Sequence, residues 1–285
     1  MIKYMLEPVH FKQAKQWVNE NHLLLSVSTF SLKIGKGFSS KQINFLLNRK
    51  SDVKISLLMN RLFHEKDFKE IELFFSSIDL SKIVYVFYTD LGLYQLAKQY
   101  AIQDKLVYDA YTYLTNSYDV NAYAKLNHTV VVSNQISLEE LQFIVSNTQK
   151  KVMIHVFGKS IIFYSRRKLL TNYFQYRKIH KKANKRNFYL QEEFRSDKYH
   201  LYEDANGSYI YEKGFYYLMG ELQNLQDVSY AIIHSADLDA KTYDKVVQAY
   251  LERNEESLLK LPLLISKGIM EKPSVLLKER GDEHV

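Results

Sequence analysis

Four polar side chains fall at or near the predicted ends of buried strands, and their types suit acid–base chemistry. Asn60 and His64 follow the third predicted strand, where His64 offers a base or a hydrogen-bond donor and Asn60 an orienting amide. Asp90 follows the fourth strand, and His155 lies on the seventh. We take these four residues as candidate catalytic groups. The alternatives are caps of a helix or turn for Asn60 and Asp90, a surface position for His64 and a hydrogen-bonded core position for His155.

Two further residues extend this set of candidates. Asp109 lies near the end of the fifth predicted strand and either adds an acidic group to the same rim or caps a helix or turn. His234 lies on the last strand and has the same two interpretations as His155. The histidines are scattered along the chain, without a tight spacing such as His-x-x-x-His. We therefore predict no metal site.

A basic segment without any acidic residue extends from residue 151 to residue 191 and carries eleven Lys and Arg. The chain has 39 basic and 32 acidic residues and a formal net charge of +7, so this segment accounts for the whole basic excess. Lys and Arg displace counterions from phosphates, and aromatic side chains stack on bases. The alternative is a solvated basic surface. The segment predicts binding of RNA or an acidic partner through Lys178, Lys181, Lys182, Lys185 and Arg186.

The absence of cysteine narrows the chemistry of the chain. It excludes a disulfide framework, a thiolate zinc site, a cysteine-ligated iron–sulfur cluster and a cysteine nucleophile. No apolar run approaches the roughly 20 residues that a membrane span needs. Glu7 and Pro8 stand where a signal peptide would be apolar. We expect a cytoplasmic protein without a membrane partner and without a cofactor of its own.

The candidate residues must be positioned by the secondary structure, which alternates regularly over the first half of the chain. Short runs rich in β-branched and aromatic residues alternate with amphipathic segments, which favours parallel strands joined by crossover helices. Eight strands close a parallel barrel, so we predict an α/β fold of the (β/α) barrel type, related to the TIM barrel. The strands are predicted at residues 2–6, 23–29, 53–59, 83–88, 106–111, 129–133, 152–157 and 230–235.

The helices are predicted between these strands, at residues 11–19, 41–47, 68–76, 92–100, 120–125 and 138–146. The last of them has the most sharply defined start, because Ser137 and Glu140 form a capping box. The tail after Tyr243 is predicted to be helical through Leu259. The charge-rich end, residues 278–285, is expected to fray.

The regular alternation stops after Phe157. Residues 158–176 are predicted to form a helix or a broken helix, and residues 177–229 contain no clear βα unit. Within them Asp204-Ala205-Asn206-Gly207 separates two β-rich runs, residues 199–202 and 208–211, which predicts a β-hairpin. We therefore divide a single domain into barrel units at 1–157, an insertion at 158–228, and a last strand with a C-terminal helix at 229–285.

Several motifs resemble those of the collagenase-like U-32 peptidase family, in particular its short cysteine-poor branch involved in bacterial tRNA hydroxyuridine formation. Asn60-Arg61-Leu62-Phe63-His64 is similar to the family's Asn-x-x-x-His. Ser137-Leu138-Glu139-Glu140-Leu141 is similar to its Ser-Leu-Glu-Glu helix start. The segments 157–174 and 203–210 match as well. The resemblance follows the same order along most of the chain.

The resemblance implies a barrel-like α/β domain with a role in hydroxylation, for which family members often act in pairs and some carry an iron–sulfur cluster on four cysteines. This chain departs from the pattern. Where the family has His-Gly-x-x-Cys, it has Phe157-Gly158-Lys159-Ser160-Ile161, and Lys168 replaces a second cysteine. Ala231-Ile232-Ile233-His234 replaces a Lys-Ile-[Asp/Glu]-Gly of the last strand, which removes a charged pair expected at the barrel mouth.

The resemblance also marks a group of residues for substrate or partner binding, because the whole string around two arginines matches the branch. Arg holds a carboxylate or phosphate through two hydrogen bonds, and Ser, Asn and Tyr complete the contacts. We favour Arg167 as the arginine that faces the site, expect a small carboxylic acid among the ligands, and expect Glu203 and Asp204 to anchor the hairpin. The group is Tyr164, Ser165, Arg166, Arg167, Asn172, Tyr173, Glu203 and Asp204.

Three functions remain open from the sequence. The leading interpretation is a tRNA-modification protein, a subunit or paralogue of the machinery that hydroxylates the wobble uridine, with tRNA and a longer paralogous subunit as partners. The second is a collagenase-like peptidase, a hydrolase that needs a nucleophile or metal-bound water. The chain has no cysteine, no His-Glu-x-x-His and no Gly-x-Ser-x-Gly, so stand-alone protease activity is not expected. The third is a non-catalytic partner of a cysteine-bearing paralogue.

Overall fold

Eight parallel strands form a barrel. The computed structural model describes residues 2–19, 21–32, 37–49, 52–110, 114–126, 128–183, 188–194, 196–225 and 227–271. Seven barrel strands precede the insertion: β1 (Lys3–Leu6), β2 (His22–Ser26), β3 (Lys54–Met59), β4 (Ile83–Tyr88), β5 (Leu106–Tyr108), β6 (Thr129–Val132) and β7 (Val152–Gly158). The eighth barrel strand, β13 (Val228–Ile233), follows the insertion.

The barrel closes because β13 pairs in parallel with both β1 and β7. Lys3 lies opposite Tyr230 on one side, and His155 lies opposite Ile232 on the other. The strands between them pair in chain order. The predicted (β/α) barrel is therefore confirmed. Because β13 ends at Ile233, His234 lies just beyond the strand, at the barrel mouth.

Helices cross over between the barrel strands and cover the outside of the barrel. Ser137 and Glu140 form the predicted capping box, and Ser39 and Gln42 form another at the second helix. The buried faces of these helices pack on the strands in one large apolar cluster. The helices are α1 (Phe11–Trp17), α2 (Ser40–Leu47), α3 (Asp67–Ser76), α4 (Leu91–Gln99), α5 (Ser117–Lys125) and α6 (Leu138–Ser146).

The barrel interior contains an apolar layer with one side chain from each strand. Side chains along a strand alternate between the two faces, so residues two positions before and after this layer also point inward. The layer therefore separates an N-terminal end from a C-terminal mouth inside the barrel. Its members are Met5, Leu24, Leu58, Phe87, Val107, Val131, Met153 and Ile232.

The N-terminal end of the barrel is closed by a buried histidine. His22 Nε2 lies 2.8 Å from Ser56 Oγ, and the His22 ring packs against Tyr85 and Tyr230. Burial, together with the charge of Lys54, lowers the pKa of His22 to about 3. The ring is therefore neutral at ordinary pH and serves as part of the core.

The insertion forms a separate antiparallel sheet. Its strands are β8 (Ile161–Ser165), β9 (Phe188–Gln191), β10 (Lys198–Asp204) and β11 (Gly207–Tyr211), in the order β8-β11-β10-β9. The predicted hairpin is confirmed, since β10 pairs with β11 around the turn at Ala205 and Asn206. Gly207 has φ +145°, and a Cβ there would lie 2.1 Å from Ser165 O, so no other residue fits.

The prediction of a helix or broken helix over residues 158–176 is wrong in its first half. Residues 161–165 form β8, and only Leu169–Tyr176 form a helix, α7. The run Ile161-Ile162-Phe163-Tyr164 is rich in β-branched and aromatic residues and pairs with β11, a partner more than 40 residues away. Leu170 and Phe174 of α7 then pack on the sheet.

The C-terminal part contributes two strands and two helices: β12 (Phe215–Tyr217), α8 (Ala240–Glu252), α9 (Glu255–Leu259) and β14 (Ile265–Ser266). The predicted continuous helix through Leu259 is interrupted at Arg253, which has φ 54°. Asn254 then caps α9 by accepting a hydrogen bond from Ser257 N. Residues 278–285, predicted to fray, lie outside the described residues. Within the described ranges, no helix has both the length and the apolar character of a membrane span.

Candidate functional site at the barrel mouth

A ring of polar side chains occupies the C-terminal mouth of the barrel. Each member lies two positions beyond a residue of the apolar layer, so strand alternation directs it inward. Sites of (β/α) barrels collect at this face. One strand after another contributes a polar group: Glu7, Ser26, Asn60, Thr89, Asp109, Ser133, His155 and His234.

Four members of the ring form a continuous hydrogen-bonded array. Glu7 Oε2 lies 2.9 Å from His234 Nδ1. His234 Nε2 lies 2.8 Å from His155 Nδ1, and His155 Nε2 lies 3.3 Å from Asp109 Oδ1. Glu7, His155 and Asp109 are buried, whereas 16% of the His234 side chain is exposed. The arrangement is two carboxylates that flank two imidazoles in contact, which suits the storage and movement of a proton.

Glu7 is held firmly at one end of the array. Ser26 Oγ donates a hydrogen bond to Glu7 Oε1, and Ser235 N lies 3.3 Å from Glu7 Oε2. The backbone N–H of Glu7 donates to Tyr243 Oη over 2.9 Å, and this hydroxyl donates to Ile233 O over 2.6 Å. Glu7 therefore connects the end of β1 to β2 and to the segment after β13 through its carboxylate, and to α8 through its backbone N–H.

The antiparallel sheet lies over this mouth. Tyr211 Oη donates to Leu32 O over 3.4 Å, and Tyr211 packs in an apolar cluster with Leu32 and Ala236. Burial raises the pKa of Tyr211, and the negative charge of Glu7 raises it further. Burial likewise raises the pKa of Tyr216, and the negative charge of Asp109 also raises it. Both phenols are therefore neutral neighbours of the array.

The structure places the four catalytic candidates in different settings. His155 belongs to the array. Asn60 Oδ1 accepts a hydrogen bond from Leu32 N over 3.0 Å, which holds the segment that follows β2. Asp90 caps α4 through Gly92 N at 2.8 Å and accepts a second bond from Phe63 N. His64 is exposed.

Sequence reasoning missed Arg61, which is buried in the loop after β3. Its Nη2 forms an ion pair with Asp67 Oδ2 at 2.9 Å, and its Nη1 donates to Asn206 Oδ1 in the hairpin turn. Arg61 therefore joins the barrel to the insertion. The available signal was the presence of an arginine inside the motif that contains Asn60 and His64. The sequence does not reveal that this arginine is buried.

The two arginines of the insertion differ in their contacts. Arg166 Nη1 donates to Phe63 O over 2.7 Å and so reaches the barrel loop. Arg167, the arginine favoured from the sequence, has an exposed side chain. Its backbone N–H donates a hydrogen bond to Ser165 Oγ. Tyr164 stacks on Tyr209 with ring centroids 5.2 Å apart. Burial raises the pKa of Tyr164 to about 12.

Glu203 and Asp204 bind within the insertion. The buried Glu203 carboxylate accepts hydrogen bonds from Leu170 N at 2.7 Å, from Ser208 Oγ at 2.8 Å and from the hydroxyl of Thr171, and thereby caps α7. Asp204 Oδ1 accepts from Asn206 N at 2.7 Å and from Tyr209 Oη at 2.9 Å in the hairpin. These contacts are internal to the insertion and fix the angle between α7 and the sheet.

The outer side of the insertion is basic and aromatic. Lys168, Lys181 and Lys182 line a cleft beside Thr171, and Lys178 is exposed at the end of α7. Asn172 is exposed on α7, and so are Tyr173 at 53% and Tyr176 at 83%. Lys185 and Arg186 lie outside the described residues. We call the exposed part the basic–aromatic surface; it comprises Lys168, Tyr173, Tyr176, Lys178, Lys181 and Lys182.

The last strand lacks the charged pair that the family resemblance led us to expect. The mouth nevertheless contains two carboxylates, because Glu7 and Asp109 supply them. In the described ranges, no group of three or more His, Cys, Asp or Glu is arranged to hold a metal ion. The sequence contains no cysteine, so no cysteine-ligated iron–sulfur cluster forms on this chain.

Comparisons with known proteins agree with the family resemblance seen in the sequence. No solved structure matches the chain. The tRNA hydroxylation protein P2 of Bacillus subtilis (strain 168) is 23% identical over 211 residues, which cover 72% of this chain and 68% of that protein. The model of peptidase family U32 matches residues 13–260, which include seven of the eight barrel strands and the insertion. This chain belongs to peptidase family U32.

Proposed function

We propose that this chain is a tRNA-modification protein, a subunit or paralogue of the machinery that hydroxylates the wobble uridine. The observation that carries the proposal is the similarity to the tRNA hydroxylation protein P2, which extends over 72% of this chain. The basic–aromatic surface supports it, because it offers both kinds of contact that RNA requires. Such a role places the protein in the cytoplasm, where tRNA is modified.

The basic–aromatic surface suits a single-stranded loop. Lys168, Lys178, Lys181 and Lys182 supply positive charge for phosphates. Tyr173 and Tyr176 have exposed rings on the same helix, three residues apart, and splayed bases of RNA loops stack on such rings. The wobble base lies in such a loop. We therefore assign tRNA binding to this surface, and from the sequence alone we also assign RNA binding to Lys185 and Arg186 of the basic segment.

A small carboxylic acid is the ligand that we propose for the junction between barrel and insertion. Arg61 is buried, and its Nε–H has no hydrogen-bond partner in the part of the chain that the structure describes. Arg166 reaches the neighbouring Phe63 O. An arginine N–H aimed at such a junction suits a carboxylate oxygen. Tyr164, which feels the charges of both arginines, offers a hydroxyl beside them.

A longer, cysteine-bearing paralogue is the partner that we propose for the redox part of the reaction. Hydroxylation of uridine is a two-electron oxidation, which needs an oxygen donor and an acceptor for the two electrons, and this chain has no cysteine to hold a cluster that could accept them. In the non-catalytic version of this proposal, the chain contributes only tRNA and partner contacts. Exposed apolar side chains on the insertion, such as Phe163 at 43% and Phe194 at 94%, favour a partner contact.

The proposal is tested by nucleoside mass spectrometry of total tRNA from a strain without this chain and from the same strain with the chain restored on a plasmid. Loss of 5-hydroxyuridine and its derivatives, with recovery on restoration, is the expected result. Unchanged amounts of these nucleosides in the deletion strain would contradict it. Purified chain added to tRNA alone, without a partner, should yield no hydroxyuridine.

A further inference from the structure

Three contacts in series connect the four side chains of the array at the barrel mouth. They run from Glu7 Oε2 to His234 Nδ1 at 2.9 Å, from His234 Nε2 to His155 Nδ1 at 2.8 Å, and from His155 Nε2 to Asp109 Oδ1 at 3.3 Å. Each contact joins two atoms at hydrogen-bond distance, so each requires one proton between them. The array as a whole therefore requires three protons.

Two neutral histidines cannot supply three protons. A neutral imidazole carries one N–H and one lone pair, and an ionised carboxylate carries only lone pairs. With two neutral rings and two ionised carboxylates, one of the three contacts would set two lone pairs against each other in a buried site, where such repulsion is strong. A third proton, on a ring nitrogen or a carboxyl oxygen, removes this conflict.

We propose that Glu7, His234, His155 and Asp109 form an acid–base site that holds one proton more than two neutral histidines carry, and that this proton is available at the barrel mouth through His234. The proposal goes beyond the proposed function and does not depend on it. With three protons the four side chains carry a net charge of about −1, by the count of one cation against two anions. The site therefore suits a neutral ligand with a carbonyl or ring N–H group, which exchanges a proton without adding a second negative charge.

Access to the site is through one member of the array. The His234 side chain is 16% exposed, compared with 4% for His155 and 1% for Asp109. A Cβ atom built on Gly158 would lie only 2.8 Å from His234 Cβ. The glycine therefore keeps a side chain away from the His234 residue. A ligand at the mouth therefore meets His234, while His155 and Asp109 form the buried end of the array.

The other titratable groups around the array leave the count unchanged over the neutral range. Tyr211 of β11, Tyr216 of β12 and Tyr243 of α8 have pKa values raised by burial, so they stay neutral. In the loop after His234, Asp237 pairs with Lys159 at 2.6 Å and lies 3.4 Å from His200 Nδ1. These groups are common to the natural chain and the variants below, so their titration cancels in a comparison.

Glu7→Gln is the variant that tests the count. Its amide N–H can donate to His234, which then donates to His155, which donates to Asp109, so two neutral rings complete all three contacts. Above about pH 6.5, where histidines of the unfolded chain are neutral, the natural array keeps one extra proton. Stability that depends on a bound proton falls as pH rises, so the unfolding equilibrium constant of the natural chain should increase by up to about tenfold per pH unit. For Glu7→Gln this increase should be absent.

The test is chemical denaturation of the natural chain and Glu7→Gln from pH 6 to pH 9, with His64→Gln as a control that leaves the array intact. A ratio of unfolding constants, natural chain to Glu7→Gln, that grows with pH supports the extra proton. A constant ratio overturns it. The control should follow the natural chain throughout.

Nitrogen NMR of the natural chain decides the question even when a variant does not fold. At pH 7 the shifts of the ring nitrogens of His155 and His234, with carbon shifts of the Glu7 and Asp109 carboxyls, should account for three protons. Two neutral tautomers beside two ionised carboxyls would overturn the proposal. The His234 N–H should also exchange with water faster than that of His155; equal protection of both rings would overturn the access through His234.

Discussion

At the scale of single residues, Glu7 connects more of the barrel mouth than any sequence motif suggested. It accepts hydrogen bonds from Ser26 of β2 and from Ser235 N, and it contacts His234 Nδ1, although it follows a strand of only four residues. In the sequence it stands out only as an acid near the N-terminus. Once Met5 is known to belong to the apolar layer, strand alternation places Glu7 at the mouth.

The same rule explains which site residues the sequence could predict. His155 was found because it alternates with Phe157 on a long strand. Asp109 and His234 were noticed, but their connection through His155 depends on the closure of the barrel, which brings β5 within reach of β7 and β13 only in three dimensions. Arg61 was missed because its burial depends on Asn206, 145 residues away.

His22 provides a prediction at this scale. Its pKa is lowered to about 3 by burial first and by nearby lysines second, so the folded chain resists protonation of this ring. Unfolded histidine takes up a proton near pH 6.5. The contribution is therefore fully present above pH 6.5, and the free energy of unfolding should fall by up to about 1.4 kcal/mol per pH unit between about pH 6 and pH 4.

The His22 prediction is checked by urea denaturation at several pH values. His22→Gln keeps a polar partner for Ser56 but has no proton to take up, so its stability should fall less steeply with acid. His64→Gln, at an exposed position, serves as the matched histidine control. An acid dependence of His22→Gln equal to that of the natural chain would contradict the assignment.

At the scale of elements, α7 and the hairpin are held together by one buried carboxylate. Glu203 accepts from two backbone N–H groups at the start of α7 and from two hydroxyls. Glu203→Ala should therefore lower the free energy of unfolding by about 3 kcal/mol, because these donors lose a charged acceptor in a buried site. Glu203→Gln should have a smaller effect, since one carbonyl oxygen remains.

The Glu203 effect is measured by chemical denaturation, with Glu193→Ala as the control for loss of an exposed glutamate. The control should change stability by less than about 0.5 kcal/mol. A Glu203→Ala variant as stable as Glu193→Ala would show that the insertion does not depend on this cap.

The barrel elements could be predicted from the sequence, because each has a strong local pattern. Every barrel strand contains buried apolar residues, and α6 begins at the capping box that Ser137 and Glu140 form. The strand β8 could not be predicted in the same way. Its pairing partner, β11, lies far along the chain, and residues 158–176 contain no turn signal that would separate β8 from α7. The local sequence pattern therefore favours one helix over residues 158–176, whereas pairing with β11 makes residues 161–165 a separate strand.

At the scale of the whole molecule, the charge is distributed unevenly. The acid-free residues 151–191, most of which belong to the insertion, carry eleven basic side chains, whereas the barrel mouth contains two carboxylates. Replacing Lys178, Lys181 and Lys182 with Ser should weaken tRNA binding roughly tenfold at moderate salt, because the three proposed phosphate contacts would be lost. The slope of log affinity against log salt should become shallower by about 2 to 3. Filter binding or an electrophoretic shift with purified tRNA measures both quantities.

A matched variant separates the basic–aromatic surface from net charge. Lys12, Lys69 and Lys245 are exposed elsewhere, and their replacement with Ser removes the same charge. This triple variant should bind tRNA within about twofold of the natural chain, apart from the long-range effect of net charge. Equal loss of affinity in both triple variants would mean that binding follows net charge and not this surface.

The same view of the molecule predicts no peptidase activity for the isolated chain. Ser56 contacts His22 at 2.8 Å, but both residues are buried at the N-terminal end of the barrel, and His22 is a poor base with its pKa near 3. Purified chain should cleave gelatin or casein no faster than a buffer blank. Cleavage that disappears in Ser56→Ala or Ser165→Ala would contradict this prediction.

The most direct test of the central claim is restoration of tRNA hydroxylation in a deletion strain by three plasmids. They encode the natural chain, the Lys178/Lys181/Lys182 variant and the Lys12/Lys69/Lys245 variant, at matched protein levels. The measured quantity is the ratio of 5-hydroxyuridine-derived nucleosides to uridine in purified tRNA. We predict full restoration by the natural chain and the second variant, and at least a several-fold lower ratio with the first. Hydroxyuridine levels that do not depend on any of the three plasmids would contradict the account.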